Sequence, residues 1–136
     1  MKCFLFRLWQ WSWGFPQNLL GFLLMLYHRR APRSTYRDCV VIHWSGSGSM
    51  SLGMFLFLGN THDRRVLVHE FGHSVQSMLL GPLYLPVIGI PSFIWCNLPP
   101  FRKLRKEKGV SYYRFCPESS ANFLGNLVTK EDCDLI

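Results

Sequence analysis

The sequence predicts a membrane-associated α+β protein, one domain over residues 1–136, and three observations carry that reading. Hydrophobic residues make up 49% of the chain and charged ones 17%, so much apolar surface has to be buried in a core or in lipid. That balance excludes a disordered tail, a collagen-like chain and a soluble coiled coil. Two basic clusters, His28, Arg29, Arg30, Arg33 and Arg37, then Arg102, Lys103, Arg105, Lys106 and Lys108, each follow an apolar run directly. Clusters so placed mark cytoplasmic flanks and contacts with anionic headgroups. Between them, short β-prone runs give way to a helical pattern, which makes the class α+β.

In chain order, residues 1–30 read as an N-terminal membrane helix that anchors the chain. Trp9, Trp11 and Trp13 would sit at headgroup level, and Pro16 allows a helix start or a kink. The uninterrupted apolar part, Leu19 to Leu26, is shorter than the roughly 20 residues of a span, so a crossing helix has to include the Trp-rich section. A shallow amphipathic anchor is the other reading. No small-residue cleavage site precedes the arginines, so the segment is expected to be retained.

Residues 38–58 hold two β-prone runs, Asp38–Trp44 and Met50–Leu58, around a Gly/Ser turn, and predict a small antiparallel β-hairpin. Thr61 or Asp63 can cap the helix that follows. Residues 64–98 predict a helix from Arg64 to Leu80, stopped by Gly81-Pro82, and then an apolar stretch broken by Pro86, Gly89 and Pro91. The stretch from 66 to 98 reads as a re-entrant or kinked hydrophobic hairpin. With both basic clusters in the cytoplasm, the chain between them must cross an even number of times or not at all, and its irregular part needs cover from protein or water. Pro117 opens a short C-terminal helix over 117–128. The acidic end, Glu131 to Asp134, is expected to be solvated.

The formal charge of +7 suits anionic partners. Because the basic residues cluster beside apolar runs, and do not line one face with spaced aromatics, the partners expected are membrane lipids and not nucleic acid. Cys3, Cys39, Cys96, Cys116 and Cys133 are odd in number and form no CxxC pair, which argues for free thiols used as small core fillers.

The sharpest feature is His69-Glu70-Phe71-Gly72-His73 in the middle of the expected helix. Spacing of i and i+4 stacks the two imidazoles on one helix face, where both can bind one tetrahedral Zn²⁺. Glu70 is rotated about 100° from His69, so it misses the cation yet can reach a water on it and take its proton. Two histidines and a glutamate beside Val66, Leu67, Val68 and Phe71 are costly to desolvate without a partner, and a metal satisfies all three. The best third ligand is Glu118, held ionised by its place in the first turn of the last helix. The small Ala121 lets that helix come close, and Asn122, one turn on, can hydrogen-bond a ligand histidine. His43 and His62 are rival third ligands. His69 and His73 lie about 6 and 12 Å along the helix from Arg65, which puts the site near the cytoplasmic interface.

HEFGH with a downstream helix beginning Glu118-Ser-Ser-Ala121 resembles the glutamate-type zinc metallopeptidases, the gluzincins. The longer string HEFGHSVQSMLLGPLYLPVIGIPS, with PQNLLGF, GSMSLGMFLFL and YYRFCPESSANFLGNL, resembles a group of small bacterial membrane proteins and spans most of the chain. The gluzincin resemblance implies that His69, His73 and Glu118 bind zinc and that Glu70 is the catalytic base for hydrolysis of a peptide or protein substrate. It also implies that an edge of the 39–58 hairpin holds the peptide by strand addition. Asn122 stands where the motif usually has Asp, which implies weaker zinc binding or reduced activity. No later residue is marked as an oxyanion stabiliser, although Tyr112 and Tyr113 are available, and the LDG-type aspartate of site-2 intramembrane proteases is absent. The expected location is the bacterial cytoplasmic membrane, as an integral protein. So small a chain leaves little room for a cleft, so a partner or a second copy would complete it. A non-enzymatic membrane protein with a structural or metal-binding histidine site is the alternative.

Overall fold

The N-terminal apolar segment folds as two helices, not one. They are α1 (Lys2–Ser12) and α2 (Phe15–Tyr27) in a computed structural model that describes residues 2–46, 48–60 and 63–131. The break falls at Trp13-Gly14, where a Cβ on Gly14 would lie 2.9 Å from both Asn18 Nδ2 and Gln10 O. Pro16 sits in the first turn of α2, where its missing N–H costs nothing. At 1.5 Å per residue α2 is about 20 Å long, short of the roughly 30 Å of a hydrocarbon core. No single helix among the described residues is long and apolar enough to cross a membrane. The single spanning helix expected over 1–30 is therefore replaced by a helical pair that packs on the rest of the protein.

Polar side chains make that packing specific. Gln10, Gln17 and Asn18 are fully buried. Gln10 Nε2 reaches Ser74 O at 3.3 Å, and Gln17 Nε2 donates to Ser77 Oγ at 2.8 Å and to Gly81 O at 2.9 Å. Asn18 donates to Gln10 O and accepts from Met54 N, at 2.8 and 2.9 Å. Trp11 turns inward, against Phe22 and Phe55 with ring centroids 6.1 and 6.3 Å away, so it is a core residue and not a headgroup anchor.

The sheet contains β1 (Arg33–Tyr36), β2 (Cys39–His43), β3 (Met50–Leu52) and β4 (Phe55–Leu58), in the order β1-β2-β4-β3. This corrects the expected hairpin. The two β-prone runs lie side by side in parallel, Val40 opposite Phe55 and His43 opposite Leu58. The first run pairs antiparallel with β1, which precedes it, and the second folds on itself, β3 against β4. The reversals fall in two-residue loops, at Arg37-Asp38 with φ of 45° and 69° and at Gly53-Met54 with φ of 63° on the glycine. Left-handed backbone at both residues suits a tight hairpin, but Arg-Asp lacks the usual Asn-Gly signal. Tertiary contacts hold it, since Arg37 donates to Thr129 O at 3.0 Å.

All four residues of β4 are buried. Phe55 meets Trp11 and Phe22 of the helical pair. Strand alternation turns Leu56 and Leu58 to the other face, the one on which Cys39 Sγ lies 3.4 Å from Ser74 Oγ and Tyr36 meets Phe71 edge-on. Those partners belong to α3 (Arg64–Leu80).

Asp63 caps α3 by accepting from Arg65 N at 2.9 Å, and Gly81 ends it with φ 56°. One tight turn (Gly81–Leu83) and one wide turn (Leu85–Gly89) lead to α4 (Ile90–Asn97), and the two arms of this apolar segment are bent by 120°. The bend agrees with a kinked hydrophobic hairpin. The second basic cluster, expected only as a flank, forms α5 (Pro99–Lys108), and α6 (Cys116–Thr129) closes the described fold. Glu131 is tied to Arg64 Nε at 2.8 Å instead of standing free in solvent. Thr61, His62 and residues 132–134 lie outside the described residues, as do Cys133 and the side chain of Cys3. Cys39 is a core filler whose burial pushes its thiol up to about 12, whereas Cys96 and Cys116 are exposed.

Asn18→Ala removes the acceptor of the buried Met54 N–H and a donor to Gln10 O. A loss of about 1–3 kcal/mol is expected, read as a lower midpoint in denaturant, and an unchanged midpoint would show that the N-terminal pair is not coupled to the sheet.

Candidate metal centre

The centre is built where α3 and α6 cross at unusually short range. A Cβ on Gly72 would lie 1.9 Å from Ala121 O, and one on Gly125 would lie 2.6 Å from Val68 O. Two glycines and Ala121 therefore let the backbones touch. Glu118 sits in the first turn of α6, next to Pro117, and this crossing carries its carboxylate onto the histidine face of α3.

Glu118 Oε2 lies 3.0 Å from His69 Nε2 and 3.3 Å from His73 Nε2. One donor atom from each of these residues falls within 4.8 Å of the other two. The two rings stand nearly perpendicular, at 85°, with centroids 4.8 Å apart. All three side chains are buried, and Glu118 is 0% exposed.

The outer nitrogen of each ring is already committed. Gln76 Nε2 donates to Pro117 O at 2.9 Å and to Ser120 Oγ at 2.7 Å. Because a carbonyl can only accept, the amide must point that way, and its Oε1 must face His73 Nδ1, 2.7 Å away. His73 Nδ1 is therefore a donor. His69 Nδ1 likewise donates to Asn122 Oδ1 at 2.6 Å. In the neutral tautomer so fixed, both Nε2 atoms offer lone pairs, and both lone pairs point at a carboxylate oxygen. Three acceptors converging in a buried space require a cation or a proton between them.

Burial works against a charged Glu118, but where a ring also carries a proton on Nε2, hydrogen bonds from His69 and His73 outweigh this and hold the carboxyl well below the usual carboxylate range. Its Oε1 makes no hydrogen bond within 3.5 Å. Ser92 and Tyr112 are nonetheless close enough to act on its charge. Glu70 is buried too, with Oε2 unpartnered, and burial pushes its carboxyl up to about 8 despite the opposing field of His69.

The aromatic rim comes from the segment between α5 and α6. Trp95 Nε1 donates to Tyr112 O at 3.0 Å and stacks on Phe115 at 5.1 Å, and the Arg105 guanidinium lies 4.9 Å over the same indole. Fixed in this way, Tyr113 sets its ring edge-on to His69, 5.1 Å away. Tyr84 also belongs to the surroundings. Burial raises its phenol first and the nearby Glu70 carboxylate adds to that, while its hydroxyl donates to Ser51 O of β3 at 3.1 Å.

The structure thus brings together His69, His73 and Glu118, with Glu70 beside them and Asn122 behind His69. His43 is elsewhere, its Nε2 3.0 Å from Ser34 Oγ on the sheet, and His62 lies outside the described residues. Gln76, Ser120 and Tyr84 went unnoticed in the sequence. Gln76 is three residues after His73 and so shares its helix face, a signal that was present, but Ser120 and Tyr84 enter only through tertiary contact. Comparison of the chain with known protein families, with characterised proteins and with solved structures finds no match.

Gly72→Ala forces the helices apart, because its new Cβ would lie 1.9 Å from Ala121 O, far inside van der Waals contact distance. A cost of about 1–3 kcal/mol is expected, together with weaker divalent-cation binding as Glu118 moves away from the rings. Calorimetric titration with zinc measures it, and wild-type affinity would mean that the crossing does not set the site.

Proposed function

We propose that this chain is a small membrane-associated zinc hydrolase of gluzincin type, cutting peptide bonds near the cytoplasmic membrane face in bacteria. The observation that carries the reading is the convergence of two imidazole lone pairs and one carboxylate oxygen, each ring fixed from behind. Two nitrogens and one oxygen, with a further acceptor on Glu118 unpartnered, fit a catalytic zinc set of three protein ligands and an open position.

His69 Nε2, His73 Nε2 and a Glu118 oxygen would hold the ion, and when bound it supplies Lewis acidity and lowers the pKa of a water towards about 7. Glu70 is the base that takes the proton of the attacking water and returns it to the leaving amine. Burial pushes its carboxyl up to about 8 without a cation, and the charge of a bound ion would favour the carboxylate that the first transfer needs. Asn122 and Gln76 orient the ligand rings, and Tyr113, edge-on to His69, and Tyr112, close to Glu118, are the candidate donors to the carbonyl oxygen of a substrate.

Strand addition would use β3, since β2 and β4 lie inside the sheet. A substrate strand there has to displace the Tyr84 hydroxyl from Ser51 O. Membrane association draws support from the exposed apolar side chains of α1, α2 and α4, among them Phe4, Leu23, Tyr27 and Phe93.

A second reading has its own observation. His69, Glu70, His73 and Glu118 are each 6% exposed or less, as suits a closed metal clamp that joins α3 to α6 without turnover.

Glu70→Gln separates the two. The hydrolase should keep about one zinc per chain and lose at least about 100-fold in cleavage of a fluorogenic peptide library, whereas a clamp shows no cleavage to lose and binds zinc equally well. Absence of zinc from the purified wild-type chain would end both readings. Asn122→Asp should tighten zinc binding by about 10-fold or more, because a carboxylate behind His69 raises its basicity, and competition with a chelator reads the change.

A further inference from the structure

The C-terminal end of α2 does not simply stop in solvent. His28 N caps the helix on Leu24 O, Ala31 N returns to His28 O, and His43 N of β2 holds Pro32 O, with donor–acceptor distances of 3.0, 2.9 and 2.9 Å. This turn and the end of β2 line an open cavity of about 520 Å³, whose walls include Tyr27, His28, Arg29, Arg30, His43 and Ser45. That volume lies in the roughly 300–1,000 Å³ range of small-molecule sites. The cavity wall has no acidic side chain.

Among the described residues the carboxylates that form ion pairs are Glu131 with Arg37 and Arg64, Asp63 with Arg65, Glu107 with Lys103, and Glu118 with the two histidines. None reaches Arg29 or Arg30. The His28 ring is held edge-on between Tyr27 and Trp44, at centroid distances of 5.0 and 5.3 Å. Two guanidiniums beside imidazole and hydroxyl donors make a recess for a tetrahedral anion, since guanidinium forks match phosphate oxygens.

A second feature says what kind of phosphate. Leu19, Leu20, Leu23, Leu26 and Tyr27 are 37% to 82% exposed, and their spacing places them on one stripe of α2 that ends at the cavity. From Leu19 to Tyr27 the stripe is about 12 Å long, close to one leaflet's share, about 15 Å, of a hydrocarbon core.

We infer that this cavity binds the phosphate of an anionic phospholipid, whose acyl chains lie along the exposed stripe of α2. The site is separate from the metal centre and deepens only the membrane part of the proposal above, by naming the partner and the residues that read it. Arg29 and Arg30 contact the phosphate oxygens, and Ser45 faces the same recess.

The test uses the full chain in a detergent with a neutral headgroup, titrated with a short-chain phosphatidylglycerol kept below its micelle concentration. One lipid per chain is expected. Arg29→Gln/Arg30→Gln should weaken it at least about tenfold, while the charge-matched pair Arg102→Gln/Lys106→Gln on α5 should leave it within about twofold. Equal losses from both pairs would overturn the site in favour of diffuse surface charge. Inorganic phosphate binding as tightly as the lipid would overturn the lipid assignment, and so would equal binding of short-chain phosphatidylcholine. A circular dichroism melt of each variant confirms that a lost signal is not lost fold. Vesicle flotation is read separately: short-chain lipid bound without flotation keeps the site and removes the membrane location, and the zinc measurements are untouched by either result.

Discussion

The contact on which the rest depends is the touch between two backbones, Gly72 of α3 against Ala121 of α6. Neither residue carries chemistry. Their smallness brings the helices close enough for a carboxylate in the first turn of α6 to reach rings in the middle of α3, and Gly125 against Val68 O continues the contact a turn later. A side chain larger than hydrogen at position 72 cannot coexist with that crossing. The second unspecified residue of the His-Glu-x-x-His string is therefore as constrained here as its histidines, for steric and not for electronic reasons.

From that crossing the polar layer follows. Both outer ring nitrogens are spent, on Asn122 and on Gln76, and Gln76 is in turn anchored on Pro117 and Ser120 of α6. The helices that bring the donors together thus also fix their tautomers. A site so arranged leaves its lone pairs nowhere to go except toward a cation or a shared proton. The same logic of buried, directional polar contacts recurs on the adjoining face of α3. There Ser74, Ser77 and Gly81 receive Gln10 and Gln17 from the N-terminal pair. α3 is polar by composition yet buried over Val68–Ser77, and partners on two of its faces sustain that burial for most of its polar groups, Glu70 Oε2 being the exception.

The outer surface tells a complementary story. Apolar side chains on α1, α2 and α4 remain exposed in quantity, and among the described residues no carboxylate pairs with Arg29 or Arg30 at the end of α2. That apolar surface, with cations beside it, is the face that the proposed contact with anionic lipid would use. The 120° bend between α3 and the segment after it keeps the Pro/Gly-rich stretch folded back beside the core.

Local signals told much of this in advance. The helix of residues 64–80, its Asp63 cap, its glycine stop, the last helix from Pro117 and the pairing of His69 with His73 all rest on periodicity, caps and the i, i+4 rule, which act within a few residues. Glu118 was legible because acids gather in first turns and a ligand must be ionised. The strand pairing was not. Asp38–Trp44 and Met50–Leu58 each look like half of one hairpin, but whether neighbouring runs pair antiparallel or slide into parallel register depends on Arg37-Asp38 and Gly53-Met54, whose turns are held by Thr129 and Asn18 from distant parts of the chain. The N-terminal segment was misjudged for the same reason. Its division into two packed helices depends on partners that α3 supplies to Gln10 and Gln17. Residue types and their short-range spacing determined which groups can hold a cation, while only the packing of α6 on α3 decided that they meet, because a distance between segments 45 residues apart is set by steric fit between surfaces that no local pattern encodes.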